Sequence, residues 1–258
     1  MYLTTEQSFP EPRRIISLVP SITELLVYLG LTDRMIGITK FCVHPPGLRL
    51  SKTVIGGTKS IKIENVKKLK PDLIIANKEE NVKGQVDELA KDYPVWLTNI
   101  SSVEDACQMI TVIGNLCNCP HATTELVEDI EREFTKLKTP PVGNIAAAYL
   151  IWRNPYMAAG GDTFISNLMQ MAGYVNVFAD RQRYPIINIQ DLLQTGCKCL
   201  LLSSEPFPFK SSHADELRNF LPGIDIMLVD GEMFSWYGSR LLQFVSYVSS
   251  IANNPGKT

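Results

Sequence analysis

Residues 14–30 read RIISLVPSITELLVYLG, and this stretch decides the fold. Its first six residues form a short, β-branched and mostly apolar run of strand length. A helix then starts at Pro20, where Ser21 and Glu24 have the spacing of a capping box, and it ends at Gly30. The stretch therefore predicts a strand that leads directly into a helix.

The same alternation continues along the chain. The apolar runs are continuous rather than alternating, which is typical of a parallel sheet covered by helices on both faces. The further predicted strands are 35–38, 73–76, 95–97, 145–151, 199–202 and 226–229, and the further predicted helices are 61–69, 82–91, 163–171, one after Asn188, 214–220 and 240–251.

Two helical stretches interrupt this alternation, from Ser101 to about Leu116 and from His121 to about Lys138. The fold class that we expect is therefore α/β, with two lobes of parallel sheet joined by a single long connecting helix. The predicted boundaries are 13–115 for the N-terminal α/β lobe, 116–140 for the connecting helix and 141–254 for the C-terminal α/β lobe.

The composition excludes several classes of protein. The chain has 258 residues, with 25 basic and 27 acidic side chains, so its net charge of -2 gives no general attraction to nucleic acid or anionic lipid. Hydrophobic residues make up 45% and charged residues 20%, which argues against disorder. No apolar run reaches the roughly 18 residues that span a bilayer.

The compartment is left open by the sequence. The polar, proline-containing start MYLTTEQSFPEPRR does not resemble a secretion signal, so we expect that the protein stays inside the cell or that a signal has been removed. Six cysteines are too few for a disulfide framework in a chain of this length, and we expect reduced thiols.

Unusual residues gather where strands lead into helices. Ligands of open α/β sheets bind outside the carboxyl ends of the strands, so two facing lobes predict a ligand cleft. Trp152 is equally expected to line the cleft or to pack in the core. Trp236 and Tyr237 are expected to line the cleft. His44 is equally expected to bind the ligand or to be an exposed loop residue. The segments concerned are Pro20-Ser21, 41–46 (FCVHPP), 77–80, 152–156 (WRNPY), 183–185 and 234–240 (FSWYGSR).

Signatures of enzymes are sparse. The chain has no nucleophile elbow, phosphate loop, His-Glu-x-x-His pair or dinucleotide fingerprint. Asp162 is interpreted as a helix N-cap rather than part of a catalytic triad. The Cys117-to-His121 segment has soft metal ligands, but the spacing of its cysteines does not favour a zinc or copper site.

Several stretches together resemble the substrate-binding proteins of ABC importers for vitamin B12, ferric siderophores and haem, and the vitamin B12-binding members most of all. They are RIISLVPSITELLVYLG, the His44-Pro45-Pro46 turn, LKPDLIIA at 69–76 and the WRNPY…GGDTF…NVF stretch. The resemblance runs from about Arg13 to Ile251. It implies two Rossmann-like lobes bridged by a rigid helix, with the ligand held between them.

The resemblance also implies roles for individual residues. Glu64 and Asp191 match the acidic positions that face arginines of the permease, although a carboxylate in the first turn of a helix is favoured even without a partner. Where the vitamin B12 binders place aromatic residues, this chain has His44, Thr58 and Asn77. The implied ligand-binding residues are Pro20, Ser21, His44, Thr58, Asn77, Trp152, Arg153, Tyr184, Phe234, Ser235, Trp236 and Tyr237.

We therefore expect a monomeric, non-enzymatic protein that captures a cobalamin-like, haem or ferric siderophore ligand and delivers it to a permease. It would have no cofactor and no nucleic-acid partner, would meet the membrane only through the permease, and would be periplasmic or at the cell surface. A further hypothesis makes His44 an axial ligand to cobalt or iron. The alternatives are an intracellular enzyme or cobalamin- or metal-handling factor on the same scaffold, and a structural partner domain without a ligand-sized cavity.

Overall fold

The computed structural model describes residues 1–3, 9–138 and 143–253. The chain forms two compact units. Among the described residues, unit 1 takes its members from Met1–Ile100, Glu104–Asp129 and Tyr237–Arg240, and unit 2 from Ser101–Val103, Ile130–Trp236 and 241–253. Four residues from near the C-terminal end therefore belong to the unit that is built mainly from the N-terminal part.

Unit 1 is built on a parallel sheet in the order β3-β2-β1-β6-β7. Its strands are β1 (Ile15–Ser17), β2 (Met35–Ile38), β3 (Thr53–Val54), β6 (Leu73–Asn77) and β7 (Val95–Thr98), and β4 (Gly56–Gly57) pairs with β5 (Ser60–Ile61) as a small antiparallel hairpin. The central strands β1 and β6 are fully buried, and their side chains are apolar on both faces except for the last residue of each, Ser17 and Asn77.

Unit 2 has a mixed sheet in the order β11-β9-β8-β12-β13, with β10 also pairing with β8. The strands are β8 (Ile145–Trp152), β9 (Tyr156–Ala158), β10 (Tyr174–Asn176), β11 (Ile186–Ile187), β12 (Cys199–Ser203) and β13 (Asp225–Val229). β8, β12 and β13 are parallel, as predicted, and β10, which was not predicted, is also parallel to β8, whereas β9 is antiparallel to β8 and to β11. This antiparallel edge was not predicted from the sequence.

The helices confirm most of the predicted positions within one to three residues. They are α1 (Pro20–Tyr28), α2 (Leu48–Ser51), α3 (Ile63–Leu69), α4 (Lys83–Asp92), α5 (Val103–Leu116), α6 (Pro120–Thr135), α7 (Phe164–Ala172), α8 (Ile189–Gln194), α9 (Ser211–Phe220), α10 (Gly231–Ser235) and α11 (Leu241–Asn253). Short 3-10 turns lie at Thr32–Arg34 and Lys136–Lys138. Within the described residues, no helix has both the length and the hydrophobicity needed to cross a membrane.

The predicted connector at 116–140 stays a prediction. α6 covers Pro120–Thr135 of it, and the division between the two units falls inside this helix, after Asp129. Residues 139–142 and 254, which the predicted boundaries use, lie outside the described residues.

Two predicted helix caps are wrong. α1 begins at Pro20, its N-cap is Val19 without a side-chain hydrogen bond, and Glu24 forms an ion pair with Arg240 instead of closing a capping box with Ser21. α7 is capped by Thr163, whose Oγ1 accepts the Ser166 N–H at 3.2 Å, and not by Asp162. Asp162 instead accepts the backbone N–H of Arg183 at 2.5 Å.

We predict that Gly114→Ala destabilises unit 1 by about 1–3 kcal/mol, because a Cβ there overpacks a buried contact. Gly114 lies inside α5, and an added Cβ would come within 2.0 Å of Thr123 Oγ1 on α6. Gly84→Ala in α4 is the matched control, since a Cβ there meets nothing within 4 Å and alanine favours the helix by about 0.5–1 kcal/mol. Denaturant unfolding measures both variants, and equal stability of the two would contradict the close approach.

Candidate functional site

In unit 1, polar side chains gather where β1, β6 and β7 end. Asn77 is the last residue of β6, and its Nδ2 donates to Oγ1 of Thr98, the last residue of β7, at 3.1 Å. Asn77 Oδ1 accepts the backbone N–H groups of Glu79 and Glu80 at 2.8 and 3.2 Å. Asn77, a predicted ligand residue, is therefore buried and holds the loop that follows β6.

Asn81 completes this network and was missed by the sequence analysis. Its Oδ1 accepts the Asn77 N–H at 2.9 Å, and its Nδ2 donates to the carbonyl oxygens of Leu18 and Thr58 at 3.2 and 3.1 Å. One buried amide thus ties the end of β1, the loop after β6 and the predicted site residue Thr58 together. The paired asparagines at 77 and 81 were the available signal, since asparagine amides commonly bridge backbone groups in loops.

Tyr237 lies buried within unit 1, although it follows Trp236 of unit 2 in sequence. Burial raises the pKa of the Tyr237 phenol well above its ordinary value, and the charge of Glu80 acts in the same direction, while the hydroxyls of Ser21 and Thr98 oppose it. The phenol is therefore neutral at physiological pH. The predicted residues Ser21, Asn77 and Tyr237 are brought together in this polar cluster.

The Tyr237–Arg240 segment is fixed against α1. Arg240 donates from Nε to Glu24 Oε2 at 3.0 Å and from Nη2 to Glu24 Oε1 at 2.6 Å. Gly238 has a φ of +116° and approaches Leu25 so closely that a Cβ would lie 3.2 Å from the leucine Cβ. The bidentate ion pair and the glycine together set the position of Tyr237.

The loop after β2 carries His44, which is half-buried. The same loop forms the wall of an open depression of about 610 Å³, whose lining includes Val43, Pro46, Lys40 and Arg49. Both charged lining residues are basic. The lining of the depression is therefore mainly apolar with two basic side chains.

In unit 2, Trp152 and Arg153 lie where β8 ends. Trp152 is 40% exposed, and its ring centroid lies 5.9 Å from that of Phe207. Arg153 Nη2 binds both carboxylate oxygens of Glu216, at 2.7 and 2.8 Å. The core interpretation of Trp152 is therefore wrong, since its ring has an open surface.

Trp236 is held by a buried carboxylate that the sequence analysis missed. Glu205 accepts hydrogen bonds from Trp236 Nε1 at 2.8 Å and from Ser235 Oγ at 2.9 Å. A Cβ on Gly231 would lie 2.6 Å from Glu205 Cγ, so this close approach requires glycine. Trp236 is 6% exposed, and its indole N–H donates to Glu205, which belongs to the same unit.

Burial raises the pKa of the Glu205 carboxyl, and the charges of Glu232 and Asp230 act in the same direction. The hydrogen bonds from Ser235 and Trp236 lower it without cancelling the effect of burial. The site therefore favours the protonated acid more than water does.

The remaining predicted residues are placed as follows. Phe234 is fully buried against Tyr149 and Phe244, at centroid distances of 5.3 and 5.6 Å, so it packs in the core of unit 2 and has no open surface. Tyr184 is half-buried and Pro20 is buried. The two predicted docking residues differ in exposure: the Glu64 side chain is 78% exposed, whereas Asp191 is 26% exposed and forms a capping box with Asn188.

None of the six cysteines forms a disulfide. Burial raises the pKa of Cys117 to about 12, with the neighbouring Cys119 adding to the effect, so this thiol stays protonated. Across residues 1–3, 9–138 and 143–253, no group of three or more histidine, cysteine, aspartate or glutamate side chains is arranged to hold a metal ion.

We predict that the stability difference between the wild-type protein and Glu205→Gln changes with pH. Because the folded-state pKa of Glu205 is raised, the protonated form stabilises the fold below the ordinary value near 4.5, and this contribution is lost as the pH rises through the raised pKa. The wild-type protein should therefore lose stability relative to Glu205→Gln as the pH rises above about 4.5 in denaturant unfolding.

Glu64→Gln, which removes an exposed carboxylate, is the control for the change in net charge. A wild-type protein that gains stability over Glu205→Gln with rising pH would show that the hydrogen bonds to the carboxylate outweigh burial.

Comparison with known proteins places these features in a family. A family model described as periplasmic binding protein matches residues 15–216. The vitamin B12-binding protein of Pectobacterium carotovorum is 22% identical over 255 residues, covering 96% of this chain and 91% of that protein.

Solved structures share the fold over nearly the whole chain. The periplasmic vitamin B12 binding protein of Vibrio cholerae has a TM-score of 0.81 at 22% identity and covers 96% of this chain and 100% of its own. The periplasmic heme-binding protein of Roseiflexus sp. RS-1 has a TM-score of 0.77 at 19% identity, covering 93% and 99%. Because the family model matches well over half of the sequence, the chain belongs to the periplasmic binding protein family.

Proposed function

We propose that this protein is the substrate-binding component of an ABC importer and that its ligand is a corrin, a haem or a ferric siderophore. The observation that carries the proposal is the family match over residues 15–216. Vitamin B12 and heme are the ligands that the names of its relatives give. The protein binds and releases its ligand, and no bond is made or broken.

The exposed side chains support a flat ligand with an anionic or metal-bearing part. Trp152 offers an open ring surface at the end of β8, and His44 offers an imidazole on the loop after β2. We propose direct contact for His44, Thr58, Trp152, Arg153 and Tyr184, which are all at least partly exposed.

The buried members of the predicted set have supporting roles in this proposal. They hold backbone segments and neighbouring side chains in place, as the bonds of Asn77 and Trp236 illustrate. This group consists of Pro20, Ser21, Asn77, Phe234, Trp236 and Tyr237.

Delivery requires a surface that the permease recognises. We propose that Glu64 belongs to it, because its carboxylate is 78% exposed in the first turn of α3 and its only described ion pair, with Lys67, is 3.5 Å long. Asp191 also lies in a first turn, but its carboxylate accepts the Asn188 N–H at 2.8 Å, so docking there would compete with the cap. The protein acts as a monomer, at the cell surface or in the periplasm.

The lack of disulfides among the six cysteines favours a second candidate. Cysteines that are not in disulfides are typical of reducing compartments, so an intracellular factor that handles cobalamin or a metal chelate fits them well. Such a factor would bind the same class of ligand without a permease.

We predict that one of cyanocobalamin, haemin or a ferric hydroxamate raises the melting temperature and quenches tryptophan fluorescence. A ligand at about 100 times its Kd stabilises a protein by about 2.7 kcal/mol. Differential scanning fluorimetry with each ligand measures the shift, and maltose at the same concentration is the control. An unchanged melting temperature with all three ligands would contradict the proposed function, whereas turnover of a ligand would favour an enzyme.

If the bound ligand contains iron or cobalt, we predict that His44→Ala changes its absorption spectrum and weakens binding. Loss of an axial imidazole alters the ligand field of the metal, so the visible bands of bound haemin or cobalamin should shift. His121→Ala is the matched control, because this histidine is 88% exposed on α6 of unit 1. An identical spectrum and Kd for wild type and His44→Ala would remove the axial role of His44.

A further inference from the structure

Trp152 is part of an aromatic cluster in unit 2, which we define as Trp152, Phe207, Phe209 and His213. The rings of Trp152 and Phe207 meet at an interplanar angle of 69°, with their centroids 5.9 Å apart. This is an edge-to-face arrangement, which aromatic pairs prefer. Since 40% of Trp152 remains exposed, one part of the indole contacts Phe207 and another part is open.

The backbone places Phe207 beside Trp152. Pairing between β8 and β12 ends at Leu150, so the carbonyl of Ile151 accepts the N–H of Phe207 at 3.2 Å. Pro206 and Pro208 flank Phe207 and restrict the φ angles of the loop. The loop that places Phe207 against Trp152 therefore has few accessible backbone conformations.

The other two rings support Phe207. Its centroid lies 4.8 Å from that of Phe209, which is 6% exposed, and 5.4 Å from that of His213. His213 Nδ1 accepts the backbone N–H of Lys210 at 3.0 Å, which fixes the imidazole at the start of α9. Turning Phe207 away from Trp152 would break its contacts with both rings.

We propose that Phe207 is a positioning residue for Trp152 and makes this edge of unit 2 selective for planar, conjugated ligands. A fixed indole loses less side-chain entropy on binding, and it presents one ring surface rather than several rotamers. An aliphatic side chain at 207 would fill part of the volume but would not orient the indole. This inference rests on the proposed function and names the side chain that sets the shape of its site.

The experiment measures the Kd of haemin and of cyanocobalamin for wild type, Phe207→Leu and Phe207→Tyr. Phe207→Leu removes the ring, and Phe207→Tyr restores it. Phe220→Leu is the matched control, because Phe220 is an aromatic residue of the same unit that is 58% exposed at the end of α9. Phe207→Met is the second apolar variant, used if the leucine variant does not fold.

A second readout follows Trp152 without any ligand. Trp96 and Trp236 are each 6% exposed, so acrylamide quenches mainly Trp152. The difference in fluorescence between the wild-type protein and Trp152→Phe gives the emission of Trp152 itself. If Phe207 orients the indole, Phe207→Leu should increase the quenching of Trp152, and Phe207→Tyr should not.

We expect Phe207→Leu to weaken binding of the ligand about three- to tenfold, the range given by an aromatic pair, while Phe207→Tyr and Phe220→Leu bind like wild type. The loss should disappear in a Trp152→Leu background, because Phe207 acts through Trp152. An unchanged Kd for Phe207→Leu, or an equal loss in the Trp152→Leu background, overturns the proposal.

If the wild-type protein binds neither haemin nor cyanocobalamin, the proposed binding of corrins and haem is contradicted, and the proposed selectivity of this edge of unit 2 is overturned. The quenching data then decide the positioning role by themselves. Equal quenching in wild type and Phe207→Leu overturns it.

Discussion

The bidentate ion pair between Arg240 and Glu24 is the interaction on which the architecture of unit 1 depends. Tyr237–Arg240 is remote in sequence from the rest of this unit, and 216 residues separate the two partners. Arg240 is 8% exposed, so losing the carboxylate would leave a largely buried guanidinium without its counter-charge. The pair fixes the end of the segment, Gly238 allows its close approach to α1, and Tyr237 thereby reaches the polar cluster at the ends of β1, β6 and β7.

Local patterns predicted most of the regular elements because their signals are local. β2 was predicted at Met35–Ile38, which is where it lies, and the helical stretch from His121 to about Lys138, which contains α6, was predicted from apolar residues spaced three and four apart. The strands β3, β4, β5, β9, β10 and β11 have only two or three residues each, too few for a periodicity to be visible. The predicted capping box at Ser21 and Glu24 is wrong for the opposite reason. The local pattern is present, but Arg240, which is distant in sequence, binds the carboxylate of Glu24.

In the candidate site too, residues with a local signal were predicted and residues that depend on distant partners were not. The ends of the parallel strands could be located from the sequence, so Asn77, Trp152 and Arg153 were identified as residues at these ends. Asn81 and Glu205 were missed because their function depends on partners that are brought near only by the fold. Phe234 and Trp236 were both assigned to the ligand, whereas Phe234 packs in the core and Trp236 is bonded to a carboxylate, since a large ring fills a core as well as a pocket.

The contact between Glu205 and Gly231 limits the order in which these two positions can change during evolution. Any side chain at 231 would meet the Glu205 side chain and Ser203 Oγ, which lies 2.4 Å from the Cβ position. Removing the carboxylate first clears part of that space, but it deprives the Trp236 indole N–H of its acceptor. A single change at 231 therefore meets both Glu205 and Ser203, and a single change at 205 that removes the carboxylate takes this acceptor from Trp236, so either change alone should destabilise unit 2.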